Sequence, residues 1–344
     1  MARPARNRTT ILDIARKLRL SAMTVSRALN RKPEVHERTR ERIIRCAADL
    51  GYQPDRWARS LVTRRSAMIG VVIPDIAHSY FAEITFGIEE AIGEAGYDIL
   101  LCHSRGDSEK EKVEISMLLG SRVDGLIVAS EQPENSPGLF TDLKQREIPF
   151  VLIDRFFPKF EFAAVRVNDR SVGRMATQCL IELGHERIAH IQGPGVSTAT
   201  LRFRGYLDAI KAAHMPVKRD RIVAGDFYLE SGRTAMNKLL NLDPRPTGVF
   251  AANDPMAIGA VYACRDAGLR VPEDVSIVGA GNIEGQHHPN PFITTLNWPR
   301  EELGKTAATI LLAAINGSTR QSAVVKVFEP GLLIRQSTGP PREG

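Results

Sequence analysis

The chain of 344 residues has few cysteines and no long apolar run. Its four cysteines stand singly, without a CxxC pair or a Cys/His cluster, at Cys46, Cys102, Cys179 and Cys264. We therefore expect reduced thiols of a cytoplasmic protein and no zinc site. No apolar run approaches the roughly 20 residues that a membrane helix needs. The basic N-terminus lacks the apolar core of a signal peptide, so we do not expect export.

Motifs of catalysis and cofactor binding are lacking as well. No serine stands in a G-x-S-x-G elbow, and Gly193-Pro194-Gly195 lacks the third glycine and the acid of a dinucleotide fingerprint. His287 and His288 have no cysteine or acidic cluster at ligand spacing, so a loop is the better interpretation of that pair. The sequence therefore predicts no enzyme, no cofactor, no metal site and no catalytic residue.

Positive charge is concentrated at the N-terminus. Residues 1–65 contain 17 Lys and Arg against 6 Asp and Glu, a formal charge of +11. The rest of the chain has 29 basic and 34 acidic residues, a formal charge of −5. A small cationic segment on an acidic body is the electrostatic pattern of a phosphate-binding module, whose affinity should fall steeply with salt.

Three short helices are predicted within this cationic segment. Apolar residues recur at the spacing of one helix face at Ile11, Ile14, Ala15 and Leu18. Thr9 or Thr10 can cap that helix, and Ser21 can cap a second one after a tight turn around Arg19 and Leu20. A third helix has its apolar face at Ile43, Ile44, Ala47 and Leu50, and Gly51 ends it. Two short helices joined by so small a turn form a helix-turn-helix.

Three motifs in the first 65 residues carry a resemblance to a known family. They are Thr24-Val25-Ser26-Arg27, Leu50-Gly51-Tyr52-Gln53-Pro54 and Arg59-Ser60-Leu61-Val62-Thr63. In this order they strongly resemble the LacI/GalR family of bacterial transcriptional regulators, and the resemblance continues over nearly the whole chain. It implies a helix-turn-helix head at 1–54, then a hinge helix and linker at 55–66. A two-lobed effector domain then follows, with one lobe at 67–167 plus 298–325 and the other at 168–297 plus 326–340.

The resemblance assigns residues of the head to DNA. For the major groove they are Ser21, Ala22, Met23, Thr24, Ser26 and Arg27. Arg27 suits bidentate contact to guanine, Ala22 and Met23 suit a thymine methyl, and the hydroxyls suit phosphates. For the hinge and the minor groove they are Tyr52, Asp55, Arg56, Ala58 and Leu61. Leu61 is expected to wedge into a base step, although packing within a linker is the alternative.

Two residues of the head depart from the family. Asp55 replaces the usual Asn, so its capping role is kept but a phosphate contact by its side chain is in doubt. Arg19 replaces the small residue, often Gly, of the first turn, and could contact phosphate itself.

From Ala67 onward, apolar strand patterns alternate with helix patterns. Met68–Ile73 is a near-continuous apolar run of the kind found in strands buried on both faces. Two successive series of this kind predict two doubly wound α/β lobes, like those of periplasmic binding proteins. The resemblance gives the late helix Arg300–Ile315 to the first lobe and the last strands, Val324–Phe328 and Leu332–Ile334, to the second. A ligand cleft is expected at the carboxyl ends of the strands.

Ten residues are predicted for this cleft by the resemblance: Tyr80, Phe81, Asp154, Arg155, Arg202, Phe227, Asn253, Asp254, Gly281 and Trp298. Arg202 matches the arginine that clamps the effector, since a planar guanidinium holds vicinal hydroxyls or a carboxylate well. Phe227 matches an aromatic that stacks on the ligand, and Asn253 is expected to face the ligand. Tyr80 and Phe81 could equally pack in the core, and Trp298 could equally be a core residue where the lobes cross.

Gly281 is the main departure in the cleft. The family usually has an aspartate there, which accepts hydrogen bonds from sugar hydroxyls or a purine. Without it the arginines Arg202 and Arg155 would be less compensated, which suggests an anionic effector such as a sugar acid. A neutral sugar remains open, because Asn282 or Glu284 could substitute.

The resemblance implies a dimeric repressor that binds a near-palindromic operator and is controlled by a sugar or sugar acid. Whether the effector releases DNA or promotes binding stays open, as does an oligomer larger than the homodimer. The alternative is a solute-binding protein of the same two-lobed fold, which would need an export signal and no basic head. An enzyme on this scaffold is disfavoured by the missing catalytic cluster.

Overall fold

The computed structural model describes residues 9–29, 32–52, 65–283, 291–317 and 324–342. The chain divides into two compact units, a head (Met1–Ser66) and a body (Ala67–Gly344). Four predicted hinge residues lie outside the described residues, namely Asp55, Arg56, Ala58 and Leu61, and so does Glu284. Their assignments remain predictions.

The described part of the head contains three short helices, α1 (Ile11–Leu18), α2 (Ala22–Leu29) and α3 (Glu37–Asp49). The Asp13 carboxylate accepts a hydrogen bond from the backbone N–H of Thr10 at 2.9 Å, which ties down the start of α1. At the start of α2, Ser21 Oγ accepts from the backbone N–H of Thr24 at 3.0 Å, as predicted. Gly51 follows α3 at φ +60°, a conformation that favours glycine.

The turn between α1 and α2 contains Arg19 in the left-handed conformation, at φ +54°, with an exposed side chain. This is the position where the family usually has a small residue, and the left-handed conformation explains that preference. Ile14, Val25 and Ile43 are fully buried and join the three helices into one core. Ile44 was predicted to share the inner face of α3 but is exposed. Ile43, Cys46 and Ala47 already fill the inward stripe of that helix, so that part of the prediction was wrong.

The body starts with a series of strands and helices that forms the first lobe: β1 (Met68–Ile73), α4 (Ser79–Glu94), β2 (Asp98–His103), α5 (Ser108–Gly120), β3 (Gly125–Val128), α6 (Gly138–Gln145), β4 (Phe150–Ile153) and β5 (Ala164–Val167). The second lobe follows with α7 (Asp169–Glu182), β6 (Ile188–Gln192), α8 (Ser197–Ala212), β7 (Ile222–Ala224), α9 (Leu229–Leu240), β8 (Gly248–Ala251), α10 (Asp254–Asp266), β9 (Ser276–Ala280) and β10 (Thr294–Asn297). A short 3₁₀ turn, Arg219–Arg221, precedes β7. The chain ends with α11 (Arg300–Ile315), β11 (Val325–Phe328) and β12 (Gly331–Leu333).

Each lobe is built on a six-stranded sheet. The strand order is β11-β5-β4-β3-β1-β2 in the first and β12-β10-β9-β8-β6-β7 in the second. Among the described residues, every strand pair is parallel except β10 with β12. The prediction of two doubly wound lobes is therefore confirmed. Parallel strands end at one edge of their sheet, so the segments that follow them can converge on a cleft.

The chain crosses between the lobes three times. The first two crossings, after Val167 and Asn297, agree with the predicted boundaries. The third prediction was wrong, because β11 lies in the first sheet, where Val325 pairs with Ala164 of β5. The third crossing therefore lies between Phe328 and Gly331, whereas the prediction put it between residues 325 and 326. An apolar strand pattern does not reveal which of two sheets receives the strand, and β5, its neighbour, was not predicted because Arg166 interrupts its apolar run.

Three helix pairs in the body pack with unusually close backbones through reciprocal glycines. A Cβ at Gly87 of α4 would lie 2.0 Å from the carbonyl oxygen of Glu301, and one at Gly304 of α11 would lie 2.1 Å from that of Ile84. The same arrangement joins α7 to α8 through Gly173 and Gly205, and α9 to α10 through Gly232 and Gly259. These contacts fix the packing of six helices of the body, among them α8, which carries Arg202 to the cavity.

We predict that Gly87→Ala destabilises the body by about 1–3 kcal/mol, because the added methyl group has no room against the α11 backbone. Gly93→Ala in the same helix is the control. A Cβ there meets nothing within 4 Å, so this variant should gain up to about 1 kcal/mol from the helix preference of alanine. Urea unfolding of the two variants measures both effects. Equal free energies of unfolding for both would contradict the packing described here.

Candidate functional site

A cavity of about 220 Å³ lies between the two lobes of the body. Nine of the ten predicted cleft residues line it: Tyr80, Phe81, Asp154, Arg155, Arg202, Phe227, Asn253, Gly281 and Trp298. Most of them stand at or just beyond the carboxyl end of a strand, which explains why segments distant in sequence meet here.

Trp298 and Tyr80 form an aromatic contact between the second crossing and the first lobe. Their ring centroids lie 6.0 Å apart in an edge-on arrangement, and Trp298 Nε1 donates a hydrogen bond to the Tyr80 hydroxyl at 3.3 Å. The Tyr80 hydroxyl in turn donates to the Asp154 carboxylate. Tyr80 and Phe81 are also buried members of the core, so they pack in the core and border the cavity at once.

Arg202 approaches the cavity from the second lobe, at the middle of α8. Its Nε donates to Asp169 Oδ1 at 2.9 Å and its Nη1 donates to the carbonyl oxygen of Ala252 at 2.7 Å. The guanidinium also lies over the Trp298 ring, 5.4 Å from the centroid. Burial raises the pKa of Asp169, and the Arg202 charge opposes that rise. Asp169 was not predicted from the sequence. Its position in the first turn of α7, directly after strand β5, was a signal that could have identified it.

Arg155 is held in the same way on the first lobe. Its Nη1 lies 2.5 Å from Glu131 Oε2 and donates to the carbonyl oxygen of Ser130 at 3.0 Å. Glu131 lines the cavity and was not predicted. The expectation of poorly compensated arginines was therefore wrong, because Arg155 and Arg202 each have a carboxylate partner within the protein.

Asn253 and Phe227 are joined by a hydrogen bond on the second lobe. Asn253 Oδ1 caps α10 by accepting from the backbone N–H of Met256 at 3.1 Å, and its Nδ2 donates to the carbonyl oxygen of Phe227 at 2.8 Å. Phe227 has φ +75°, and its ring lies against Gly193. That the Asn253 amide also faces the ligand stays a prediction, since its Nδ2 carries a second N–H. Both polar atoms already have protein partners, and they position the backbone of Phe227.

Asp254 is the predicted cleft residue that does not line the cavity. Its carboxylate is buried and accepts from Thr295 Oγ1 at 2.6 Å and from the backbone N–H of Ile283 at 2.9 Å. It also lies directly beneath Gly279, where a Cβ would come within 2.2 Å of its Oδ1. Asp254 therefore stabilises the wall of the cavity through its hydrogen bonds to Ile283 and Thr295. Its position on α10 directs the side chain toward β9 and β10 rather than into the cavity.

Gly281 lines the cavity at φ +120°, a backbone conformation that residues with a side chain rarely adopt. Its carbonyl oxygen accepts a hydrogen bond from Arg300 Nη1, and Arg300 Nε donates to Glu83 Oε2 at 2.7 Å. Gly281 thus has a backbone conformation that the family's usual aspartate would rarely adopt. Asn282, the suggested substitute, bonds instead to Arg335 and Asn297.

A buried carboxyl group stands behind the Glu131 segment. Glu111 of α5 is fully buried and accepts from Ser130 Oγ at 3.0 Å and from the backbone N–H of Glu131. Burial raises the pKa of Glu111 to about 7. Near neutral pH this group therefore titrates beside the cavity wall. Burial acts on His78 in the same cavity as well, and lowers the pKa of its imidazole.

We predict that Glu111 makes the free energy of unfolding fall as the pH rises from about 4.5 to about 7. A carboxyl whose pKa is higher in the folded chain binds more protons when folded, so its contribution is lost across that window. Glu111→Gln stays uncharged, and its stability difference from the wild type should change by about 3 kcal/mol between pH 5 and 8.

Urea unfolding at several pH values measures this difference. Glu109→Gln, an exposed position on the same helix, is the control and should run parallel to the wild type. A Glu111→Gln variant that also runs parallel would contradict the assignment.

The second helix of the head presents one face to solvent. Val25 and Ala28 are buried beneath it, whereas Ser21, Arg27 and Met23 are exposed, the last by 64%. Ala22, Thr24 and Ser26 are half-buried beside them, as is Tyr52 against the head core. The predicted major-groove residues therefore lie on the accessible side of α2 or at its margin.

Comparison with known proteins covers both units. Residues 10–55 match the family described as "Bacterial regulatory proteins, lacI family", and residues 66–331 match "Periplasmic binding proteins and sugar binding domain of LacI family". The chain belongs to the LacI family. As a LacI-family transcriptional regulator it combines a helix-turn-helix DNA-binding domain with a two-lobed domain.

Relatives and solved structures share this organisation with the LacI-family chain. The HTH-type transcriptional repressor PurR of Klebsiella pneumoniae is 37% identical over 331 residues, which are 95% of this chain and 96% of that repressor. The PurR of Photorhabdus laumondii is 36% identical with the same coverage. The Lac repressor dimer bound to operator and the anti-inducer ONPF matches with a TM-score of 0.86 and 26% identity, over 97% of this chain and 100% of that one. The CelR–cellobiose complex matches with a TM-score of 0.73 and 32% identity, over 96% of this chain and 100% of that one.

The relatives are named as transcriptional repressors and regulators, not as enzymes. In the part of the chain that the structure describes, no helix is both long and apolar enough to span a bilayer. The same residues contain no group of three or more His, Cys, Asp or Glu side chains arranged for a metal ion. All four cysteines are buried free thiols.

Proposed function

We propose that this LacI-family protein is a dimeric repressor that binds an inverted-repeat operator and is controlled by a sugar or sugar acid in the interlobe cavity. The observation that carries the proposal is the exposed face of α2 in a head of formal charge +11, on the same chain as a cavity between two lobes. Relatives titled as an operator-bound dimer and as a cellobiose complex support the same combination.

The operator is read by α2 in the major groove. Arg27 contacts guanine through its paired donors, while Ala22 and Met23 contact a thymine methyl. Ser21, Thr24 and Ser26 position the helix on phosphates, since their hydroxyls are short and lie at or beside the exposed face. In the hinge, Leu61 wedges into the minor groove, with Tyr52, Asp55, Arg56 and Ala58 beside it.

Self-association is supported by exposed apolar side chains on both sides of the β2 edge of the first sheet. Phe86 on α4 is 64% exposed, and Val113 and Met117 on α5 are 66% and 47% exposed. The two helices pack in different core clusters on opposite faces of the sheet, and β2 is the edge strand between them. Exposed apolar groups of this size flanking an open edge favour a protein interface.

Control by an effector follows from the position of the cavity. A ligand held between the lobes stabilises one arrangement of them over another, and a dimer that joins first lobes passes this preference to the paired heads.

Selection of DNA from a random pool, at a stated salt concentration, tests the function. We predict an inverted-repeat sequence for the wild type. Arg27→Gln should lose about 1–3 kcal/mol of discrimination at one base pair of each half-site. Arg42→Gln removes the same charge from the exposed side of α3 and should keep the wild-type base preference. A wild type without sequence preference, or an Arg27→Gln variant with unchanged preference, would contradict the proposal.

Sedimentation velocity tests the interface. We predict that Val113→Lys shifts the dimer toward monomer at micromolar concentration, because a charge must then be buried or the surfaces must part. Val217→Lys, at another exposed valine on the second lobe, is the control and should sediment as the wild type does. An unchanged dimer for both variants would exclude the β2 edge.

A further inference from the structure

Two helix pairs of the body form exposed surfaces of opposite charge. In the first lobe α4 packs on α11, and in the second lobe α7 packs on α8, each pair through reciprocal glycines. Both pairs cover one continuous core cluster, which includes Ile84 and Leu303 from the first lobe and Val172 and Tyr206 from the second. The helices α5 and α6 and the helices α9 and α10 pack on two other clusters. The two charged surfaces therefore lie on the same side of the body.

The surface of the first lobe, the acidic face, is formed by the outer sides of α4 and α11. Its exposed carboxylates are those of Glu90, Glu94, Glu301 and Glu302. The ammonium group of Lys305 stands among them, with its Nζ 3.0 Å from Glu90 Oε2. That hydrogen bond raises the pKa of Lys305, and the charges of Glu301 and Glu302 raise it further, so the carboxylates converge on this side chain. Four carboxylates and one ammonium group give the acidic face a formal charge of −3.

The surface of the second lobe, the basic face, is formed by the outer sides of α7 and α8. Its exposed cations are Arg170, Arg174, Arg204 and Lys211. Arg170 donates two hydrogen bonds to the Asp208 carboxylate, at 2.6 and 3.0 Å. These bonds lower the pKa of Asp208, and the charges of Lys211 and Arg174 lower it further, so the cations cluster around this carboxylate. The basic face has a formal charge of +3, although the chain from residue 66 onward has −5.

The two faces match in size as well as in charge. The helices have 16 residues, or 14 in the case of α7, so each pair is about 21–24 Å long and about 20 Å wide. Together the faces offer roughly 900 Å² per chain, close to the roughly 800 Å² per partner of a standard protein interface. Against a second copy turned about a two-fold axis, the acidic face of each chain meets the basic face of the other. Both contacts are then attractive, and the pairing is closed.

We infer that the acidic face and the basic face together bind a second copy of this chain, acidic face to basic face, about a two-fold axis. This association is separate from the proposed dimer at the β2 edge, and dimers joined there form tetramers through the two faces. Because it depends on exposed charges, the association weakens with salt and is lost near 1 M, where the screening length is about 3 Å.

Sedimentation velocity of the full-length protein at about 50 mM and about 1 M NaCl tests the inference. We expect wild-type tetramers at low salt and dimers at high salt. Arg174→Glu with Arg204→Glu turns the basic face negative and should weaken the low-salt association at least tenfold, because both contacts become repulsive. Glu94→Lys with Glu302→Lys turns the acidic face positive and should have the same effect.

A matched control changes the charge of the second lobe by the same amount outside both faces. Lys238 lies on α9 and Arg245 follows that helix, and both side chains are exposed. Lys238→Glu with Arg245→Glu should associate as the wild type does at both salt concentrations.

A mixture of the two face variants gives a readout that a misfolded variant cannot imitate. The unchanged acidic face of one variant meets the unchanged basic face of the other, and their two altered faces carry opposite charges as well. The mixture should therefore associate at low salt although neither variant does so alone. A wild type of the same size at both salt concentrations, face variants that associate like the wild type, or a mixture that associates no more than its parts would each overturn the inference. Association that appears only when poly-glutamate is added would assign the basic face to another partner and overturn it as well.

The Val113→Lys variant separates this inference from the proposed dimer. It should be a monomer at high salt and, through the two faces, a dimer at low salt. A low-salt dimer of this variant that the face substitutions abolish supports the inference even if the β2 edge plays no part. A wild-type dimer that responds to Val113→Lys but to neither salt nor the face substitutions overturns the inference and leaves the proposed repressor dimer standing.

Discussion

Trp298 is a residue at which the two lobes meet. Its indole N–H reaches the Tyr80 hydroxyl of the first lobe at 3.3 Å, and the Arg202 guanidinium of the second lobe lies over its ring at 5.4 Å. Closing the lobes around this contact takes charged groups out of water, and a buried charge without a partner is strongly destabilising. The pairs Arg202–Asp169 and Arg155–Glu131 meet that requirement, and they also decide which polar atoms remain for a ligand.

The same pairs give the cleft an asymmetric chemistry. The second lobe offers N–H groups of Arg202 and a Phe227 ring that Asn253 holds in position. On the first lobe Glu131 is among the lining residues, and its Oε2 pairs with Arg155. A ligand that contacts both walls at once favours the closed arrangement over an open one.

The parts of the fold that were predictable from sequence depend on local patterns. The strands β3, β4 and β8 are continuous apolar runs, and the cap of α2 needs only Ser21 and Thr24. Residues that follow strands meet at one edge, which is why nine of the ten cleft predictions converge. Non-local pairings were not predictable. The partners Asp169 and Glu131, the inward turn of Asp254 and the place of β11 in the first sheet depend on distant segments that no local pattern relates.

In the proposed function of this LacI-family protein, a metabolite and DNA each change the affinity for the other, and thermodynamic reciprocity tests that claim most directly. The measurement is the affinity of the full-length protein for its selected operator with and without saturating sugar, and its affinity for the sugar with and without operator. The two ratios must be equal, and we expect a factor of about 5 to 150. A sugar that binds the free and the operator-bound protein with the same affinity would contradict the account.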